Sequence, residues 1–284
     1  MANAKNKECT INLLHKNVAF IGAGNMSRAI ILGMIKQGYP ADRITASNPS
    51  RPKLDALEQD AGINTTSDNL QAVNDADVVV LAVKPQLMQE VCKHLQQTDL
   101  QGKLFVSIAA GINANRLQQM LGGNYPVVRT MPNTPSSLGL GMTGLFADAG
   151  VNDEQREFAA FLLSQVGKTL WVSEEAKIDG VIAAAGSSPA YFFLFAEAMQ
   201  AEAERMGFDH DEARLLVQQA MLGAATMVVE NPATEISTLR EQVTSKGGTT
   251  AQALATFENA GLRDTISQAM QAAVKRAQEM STLF

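Results

Sequence analysis

Cysteine is scarce in this 284-residue chain, with Cys9 and Cys92 the two present. Two thiols make no disulfide framework and stand in no metal-ligand spacing, so the expectation is a metal-free protein of a reducing cytoplasm. Histidine is nearly as rare. His15 lies in an N-terminal extension, His94 on a polar helix and His210 among acidic residues, each reading as a surface residue rather than a catalyst. Neither a His/Cys cluster nor a pair of catalytic carboxylates can be assembled. Positive charge is also short: 23 Lys and Arg against 29 Asp and Glu leave a net charge of −6. The basic residues never gather into a stripe, which argues against nucleic acid as a partner.

Long hydrophobic runs are missing as well. The opening "MANAKNKECTINLLHKN" has no long apolar run before Lys16, which argues against a secretory signal and marks residues 1–15 as a polar extension. The most apolar later stretch, "VIAAAGSSPAYFFLFA" from Val181 to Ala196, is interrupted by Gly186, Ser187, Ser188 and Pro189. It falls short of the roughly 20 apolar residues of a membrane helix and reads as a buried helix, so no membrane association is expected. No internal repeat and no low-complexity segment is found.

What is there divides in two, as the length suggests. Over residues 16–173 short β-rich runs alternate with helical patterns: "NVAFIG", "RITAS", "ADVVVLAV", "KLFVSIA" and "YPVVRTM". Their continuous apolar character predicts a parallel, doubly wound α/β sheet of Rossmann type covered on both faces by helices. "TGLFAD" and "KTLWVS", flanking a helix over Asn152–Val166, should extend that sheet at one edge. Over residues 174–284 the texture becomes nearly all helix, in stretches such as "DEARLLVQQAMLGAATMVVE", which predicts an all-α domain. Pro189 must start or kink a helix, because it lacks an amide donor. "NPATE" at Asn231–Glu235 should separate two more.

"VAFIGAGNMSRAI" places Gly22 and Gly24 after the first strand, at the opening of a helix. A turn of that kind lets the backbone approach a pyrophosphate, whose charge is met by free amides and the positive helix end. The candidate cofactor residues there are Gly22, Ala23, Gly24, Asn25, Met26 and Ser27, with Ser27 at the third glycine position. At the end of the second strand, where an acidic residue usually holds the ribose hydroxyls of NADH, this chain has none. Asn48, Ser50 and Arg51 offer an amide, a hydroxyl and a guanidinium instead, which suit a 2′-phosphate. NADPH is therefore the expected cofactor, with NADH a weaker possibility; the plainer reading is that Asn48 and Ser50 cap the next helix. "LAVKP" places Ala82, Val83, Lys84 and Pro85 at a strand end that should face the nicotinamide half, although Lys84 could equally be an ordinary solvated lysine.

"IGAGNMS", "AVKP", "RTMPNTP" (Arg129–Pro135), "AAGSSPAYFF" (Ala184–Phe193) and "VTSKGGTTAQAL" (Val243–Leu254) follow one another in order. Together they resemble the Δ1-pyrroline-5-carboxylate reductases over residues 16–280. The resemblance implies NADPH-dependent reduction of the C=N bond of 1-pyrroline-5-carboxylate to L-proline, the last step of proline biosynthesis. It also implies a homodimer, or a larger assembly of dimers, whose helical domains interleave, with the active site between one subunit's cofactor cleft and a loop of its partner. A helix as apolar as Leu215–Val229 supports that, since it is too greasy to face water in a monomer.

A cyclic imine carrying a carboxylate makes two demands: hold the anion, and keep the nitrogen protonated or hydrogen-bonded as hydride arrives. Gly247 and Gly248 allow a tight turn exposing consecutive amides that lead into a helix start near Thr249 or Thr250. Ser245 and Thr249 add hydroxyl donors. By resemblance, Thr250 sits at the imine nitrogen, in an orienting role because a threonine hydroxyl is a poor acid. The plainer reading of this stretch is an ordinary helix start after a flexible loop. "GSSPAY" caps its helix or faces the pocket, and "MPNTP" shapes the floor between cofactor and substrate, with Asn133 the residue most suited to a polar contact. Where the family usually has proline this chain has Lys246, which makes the loop less rigid and adds a positive charge.

Two rival readings remain open at this level. A β-hydroxyacid dehydrogenase would use a lysine on the helix after the Rossmann domain, yet no lysine occurs between Lys177 and Lys246. A non-catalytic NADPH-binding regulator would bind the cofactor without turnover.

Overall fold

A computed structural model describes residues 15–283. Cys9 and the expected polar extension, His15 apart, lie outside the described residues. Eight strands form one sheet: β1 (Val18–Ile21), β2 (Ile44–Ser47), β3 (Asn64–Thr66), β4 (Val78–Leu81), β5 (Leu104–Ser107), β6 (Val127–Met131), β7 (Gly141–Ala147) and β8 (Gly167–Trp171). Their order is β3-β2-β1-β4-β5-β6-β7-β8, with every pair parallel except β6–β7, which is antiparallel. The chain order reverses between β1 and β4, which is the switch point where open α/β sheets bind ligands beyond their strand ends.

Alternation along the strands divides the core into two layers. Val18, Phe20 and Val80 pack on one face with Ile30, Met34, Leu54 and Phe158. Ala19, Ile21, Val79 and Leu81 pack on the other with Met88, Cys92, Leu95 and Leu117. Burial on both faces is why these strands are continuously apolar. The covering helices are α1 (Asn25–Lys36), α2 (Arg51–Ala61), α3 (Asn69–Asn74), α4 (Pro85–Leu95), α5 (Ala114–Leu121) and α6 (Asp153–Ser164).

The remaining helices are α7 (Lys177–Val181), a π turn over Ile182–Gly186, α8 (Ser188–Arg205), α9 (His210–Glu230), α10 (Ile236–Gln242), α11 (Thr249–Asn259) and α12 (Leu262–Leu283). Pro189 falls in the first turn of α8, and the Asn231–Glu235 stretch separates α9 from α10. One compact unit contains the sheet, runs on to Ser187 and takes back the chain from Ala273; the other is Ser188–Ala272. The sequence changes texture near Glu174, so α7 and the π turn are helical in composition yet pack with the sheet.

In the stretch expected to be a buried helix, only Ala183 is buried and Phe192–Phe195 are exposed. Phe192, Phe193 and Leu194 are 63%, 62% and 67% exposed, and Leu215, Leu216 and Leu222 on α9 are also open. The run Lys177–Arg205 is, moreover, long and apolar enough by length and composition to cross a membrane, against the sequence estimate. The physical reason for the exposure is the absence of a second layer. Within Ser188–Ala272 only Ala213, Val217 and Leu239 are buried apolar residues, so this unit does not cover its own apolar surface.

Candidate active site

The glycine-rich turn after β1 is built by close backbone approach. Gly22 has φ +107°, and its amide donates to the Ser47 carbonyl at the end of β2 (2.8 Å). A β-carbon on Gly22 would stand 2.6 Å from the Ala82 carbonyl oxygen just beyond β4. Three strand ends thus meet at one residue that must be glycine. Gly24 is different: it is the N-cap of α1 in extended conformation, and a β-carbon there would meet nothing within 4 Å. The Ser27 hydroxyl is buried beneath the turn and donates to the Gly22 carbonyl (2.7 Å), bracing the loop from inside. Asn48 joins the two turns, accepting from the Ala23 amide (3.3 Å) and donating to the Ser50 carbonyl (3.1 Å).

Helix starts differ in their caps, and the short α7 and α10, opened by Ala176 and Glu235, lack a side-chain cap. Asp68, Asn113, Asn152 and Asp209 cap α3, α5, α6 and α9 with their side chains, the last two in full capping boxes. Gly24, Ser50, Lys84 and Gly248, which open α1, α2, α4 and α11, make no side-chain cap, and those four helices have no acid in their first turn. Uncapped amides at the positive end of a helix dipole can receive an anion. Each of these four starts carries residues singled out in the sequence. Ser50 does not cap α2, so the plainer reading of that residue fails. Arg51, at N1 of α2, places a cation where the dipole disfavours it. Its guanidinium lies 2.6 Å from Asp55 Oδ1 and 3.6 Å from Glu58 Oε2. Lys84 is exposed at the start of α4, with Pro85 at its first position.

These features fit a dinucleotide. Open space above Gly24, bare amides on α1 and α2, and the absence of a carboxylate at the end of β2 together accept a pyrophosphate and a 2′-phosphate.

The loop before α11 is a second glycine turn. The Gly248 amide donates to the Ser245 carbonyl (3.0 Å), closing a β-turn whose third residue, Gly247, has φ +74°. Thr244, Thr256 and Thr265 spend their hydroxyls on the carbonyl four residues back. The hydroxyls of Ser245, Thr249 and Thr250 have no partner among the described residues, and all three residues are exposed, as is Lys246. Among the described residues no group of three or more His, Cys, Asp or Glu is placed to hold a metal.

Sequence reasoning missed the ion cluster behind β6. Arg129, with its side chain 5% exposed, lies 3.3 Å from Glu175 Oε1 and 3.5 Å from Asp179 Oδ1. Glu175 Oε1 also accepts from the Ala114 amide at the start of α5 (2.8 Å). The signal was available, since an arginine inside the apolar strand "VVRTM" requires buried carboxylates. Nearby, Asn133 donates to the Ala185 carbonyl of the π turn (3.0 Å) and accepts from the Met142 amide (2.9 Å). Its polar contacts are with the chain itself.

A Rossmann sheet with bare helix starts at its switch point defines a nicotinamide-nucleotide oxidoreductase. Comparison with known proteins narrows this. The family described as "Pyrroline-5-carboxylate reductase dimerisation" matches residues 175–280, and "NADP oxidoreductase coenzyme F420-dependent" matches 17–111. A pyrroline-5-carboxylate reductase of Vibrio alginolyticus is 63% identical over 270 residues, covering 95% of this chain and 99% of that protein. That of Haemophilus influenzae is 53% identical over 270 residues, with the same coverage. Among solved structures, the Coxiella burnetii enzyme superposes with a TM-score of 0.89 at 43% identity, over 94% of this chain and 98% of that one. A Plasmodium falciparum pyrroline carboxylate reductase with NADP bound gives 0.82 at 26% identity, over the same shares. The chain belongs to the pyrroline-5-carboxylate reductase family. It is an NADP-dependent oxidoreductase that reduces 1-pyrroline-5-carboxylate to proline, and its dimerisation region makes it a homo-oligomer. The hydroxyacid dehydrogenase and non-catalytic readings give way to it.

Proposed function

We propose that residues 16–173 hold NADPH, in preference to NADH, and that residues 174–284 bind the imine and form the dimer. Gly22–Ser27 and the start of α1 take the pyrophosphate, Asn48, Ser50 and Arg51 take the 2′-phosphate, and Ala82–Pro85 flank the nicotinamide. The cofactor supplies the hydride that adds to the imine carbon. The chain's own part is to hold the substrate. The Gly247 and Gly248 turn and the start of α11 accept its carboxylate, with Ser245 and Thr249 adding hydroxyl donors. Thr250 orients the imine nitrogen, while solvent or the iminium itself supplies the proton.

The observation carrying this reading is the uncapped start of α11, with three unengaged hydroxyls gathered on a left-handed glycine turn. A loop built only to begin a helix would spend at least one of them on capping. The exposed aromatic face of α8 supports a second copy as its cover, and the loop of that copy as the one serving this chain's cofactor site. A cytoplasmic dimer or assembly of dimers, with neither nucleic acid nor membrane as partner, fits the composition.

The test replaces Thr250 by Ala and Gly248 by Val and measures steady-state kinetics beside NADPH binding. Turnover should fall or KM for the imine rise in both, with nucleotide affinity near that of the parent. Parent-like kinetics in both variants would sink the assignment. A substrate panel including piperideine-carboxylate and hydroxy acids would define the specificity.

A further inference from the structure

Arg51 is the cation assigned above to the 2′-phosphate, and it is already engaged. Its Nη2 faces Asp55 Oδ1 at 2.6 Å, one helical turn along α2, and Glu58 Oε2 at 3.6 Å, two turns along. Its Nη1 reaches Thr65 Oγ1 on β3 at 3.5 Å, and that hydroxyl donates to Glu58 Oε2 (3.1 Å). Arg51, Glu58, Thr65 and Thr66 line a polar groove of about 580 Å³ along the β3 edge. The guanidinium is therefore drawn along the helix towards the sheet edge.

The side chains of Arg51, Asp55 and Glu58 are 53%, 57% and 58% exposed. Ion pairs that open to water do little to hold a fold, so these carboxylates are poorly explained as stabilisers. They do compete for the same donor edge that a phosphate would occupy in bidentate fashion. A cofactor carrying a 2′-phosphate must draw Arg51 away from them, whereas one without that group leaves the cluster intact.

We infer that Asp55 and Glu58 form an acidic latch on Arg51 that weakens NADPH binding while leaving NADH binding untouched, and so sets the discrimination between the two. The inference rests on Arg51 meeting the 2′-phosphate. A latch of this kind keeps product release from slowing as the phosphate contact is strengthened, because Arg51 always has another partner to return to.

The experiment measures equilibrium binding at fixed ionic strength, by nucleotide fluorescence or calorimetry, for Asp55→Asn, Glu58→Gln, Arg51→Gln and Asp55→Asn combined with Arg51→Gln. The probes are NADPH, NADH, adenosine 2′,5′-bisphosphate and AMP. Asp55→Asn should tighten NADPH and the bisphosphate about two- to four-fold and leave NADH and AMP unchanged, with a smaller effect from Glu58→Gln. In the Arg51→Gln background that gain should vanish. An equal gain without Arg51 would show plain charge repulsion and overturn the latch. Unchanged NADPH affinity in both carboxylate variants, while Arg51→Gln still weakens NADPH, would overturn it too and leave the 2′-phosphate assignment standing. Should Arg51→Gln itself leave NADPH affinity unaltered, the assignment and the latch fall together.

Discussion

Gly22 stands so close to Ala82 that a β-carbon on it would lie 2.6 Å from the Ala82 carbonyl oxygen, whereas Gly24, two residues on, has open space above it. The two glycines should therefore fail in different ways. Gly22→Ala forces a side chain into backbone at φ +107° and should cost about 2 kcal/mol or more of stability, read by urea unfolding. Gly24→Ala should fold with nearly parental stability and lose nucleotide affinity, because its methyl group fills the approach to the α1 amides. Equal stability losses in both would contradict this division.

The cluster of Arg129 with Glu175 and Asp179 links β6 to α5 and α7. Arg129→Met leaves two half-buried carboxylates without their shared cation and should destabilise the fold by about 3 kcal/mol. Asp179→Asn, which keeps the Glu175 pair, should cost clearly less. Denaturant titration of the two variants checks the order.

Burial pushes the Cys92 thiol up to about 12. In a Cys9→Ser background, alkylation at pH 8 should therefore modify Cys92 only after unfolding, and mass spectrometry of the native protein should show an intact thiol. The linkage has a definite sign. The folded value is raised, so this stability is complete below the unfolded thiol value, about 8.5, and is lost as pH rises from there towards 12. Burial raises the Tyr39 phenol in the same direction, so alkaline unfolding should be steeper than surface charge alone produces.

Leu216 and Leu222 on α9 are 51% and 58% exposed in the single chain. Leu222→Glu should convert the oligomer to monomer, seen by light scattering, and abolish turnover. NADPH affinity should stay within a few-fold of the parent, since the assigned cofactor residues lie in the other compact unit. Full activity in a monomeric variant would remove the proposed partner loop from the site.

Seven of the eight strands were legible as β-rich runs, most of them because a strand buried on both faces has no polar alternation to obscure it; β8, exposed at alternate positions, was legible from "KTLWVS" instead. β3 was not: "NTT" is three polar residues at the sheet edge, where no burial selects for hydrophobic side chains. The dinucleotide turn and the α11 start were legible from glycine placement, since positive φ and close approach leave few other choices. The sequence offered Arg51 as a cation suited to a phosphate but gave no sign of its ion cluster. Its contact with Thr65 comes from α2 lying beside β3, a distance that no local pattern encodes.

The apolar stretch around Phe193 shows where the sequence stops. Hydrophobicity determined that this surface must leave water, and the texture of the chain determined an α/β sheet followed by helices. Only the tertiary structure decided where that surface lies. Within Ser188–Ala272 it faces outward rather than into a core of its own. The physical reason is that transfer free energy depends on the area removed from water and not on which chain removes it. A sequence therefore records the demand for burial, and the fold decides whether the same chain or a second copy must meet it.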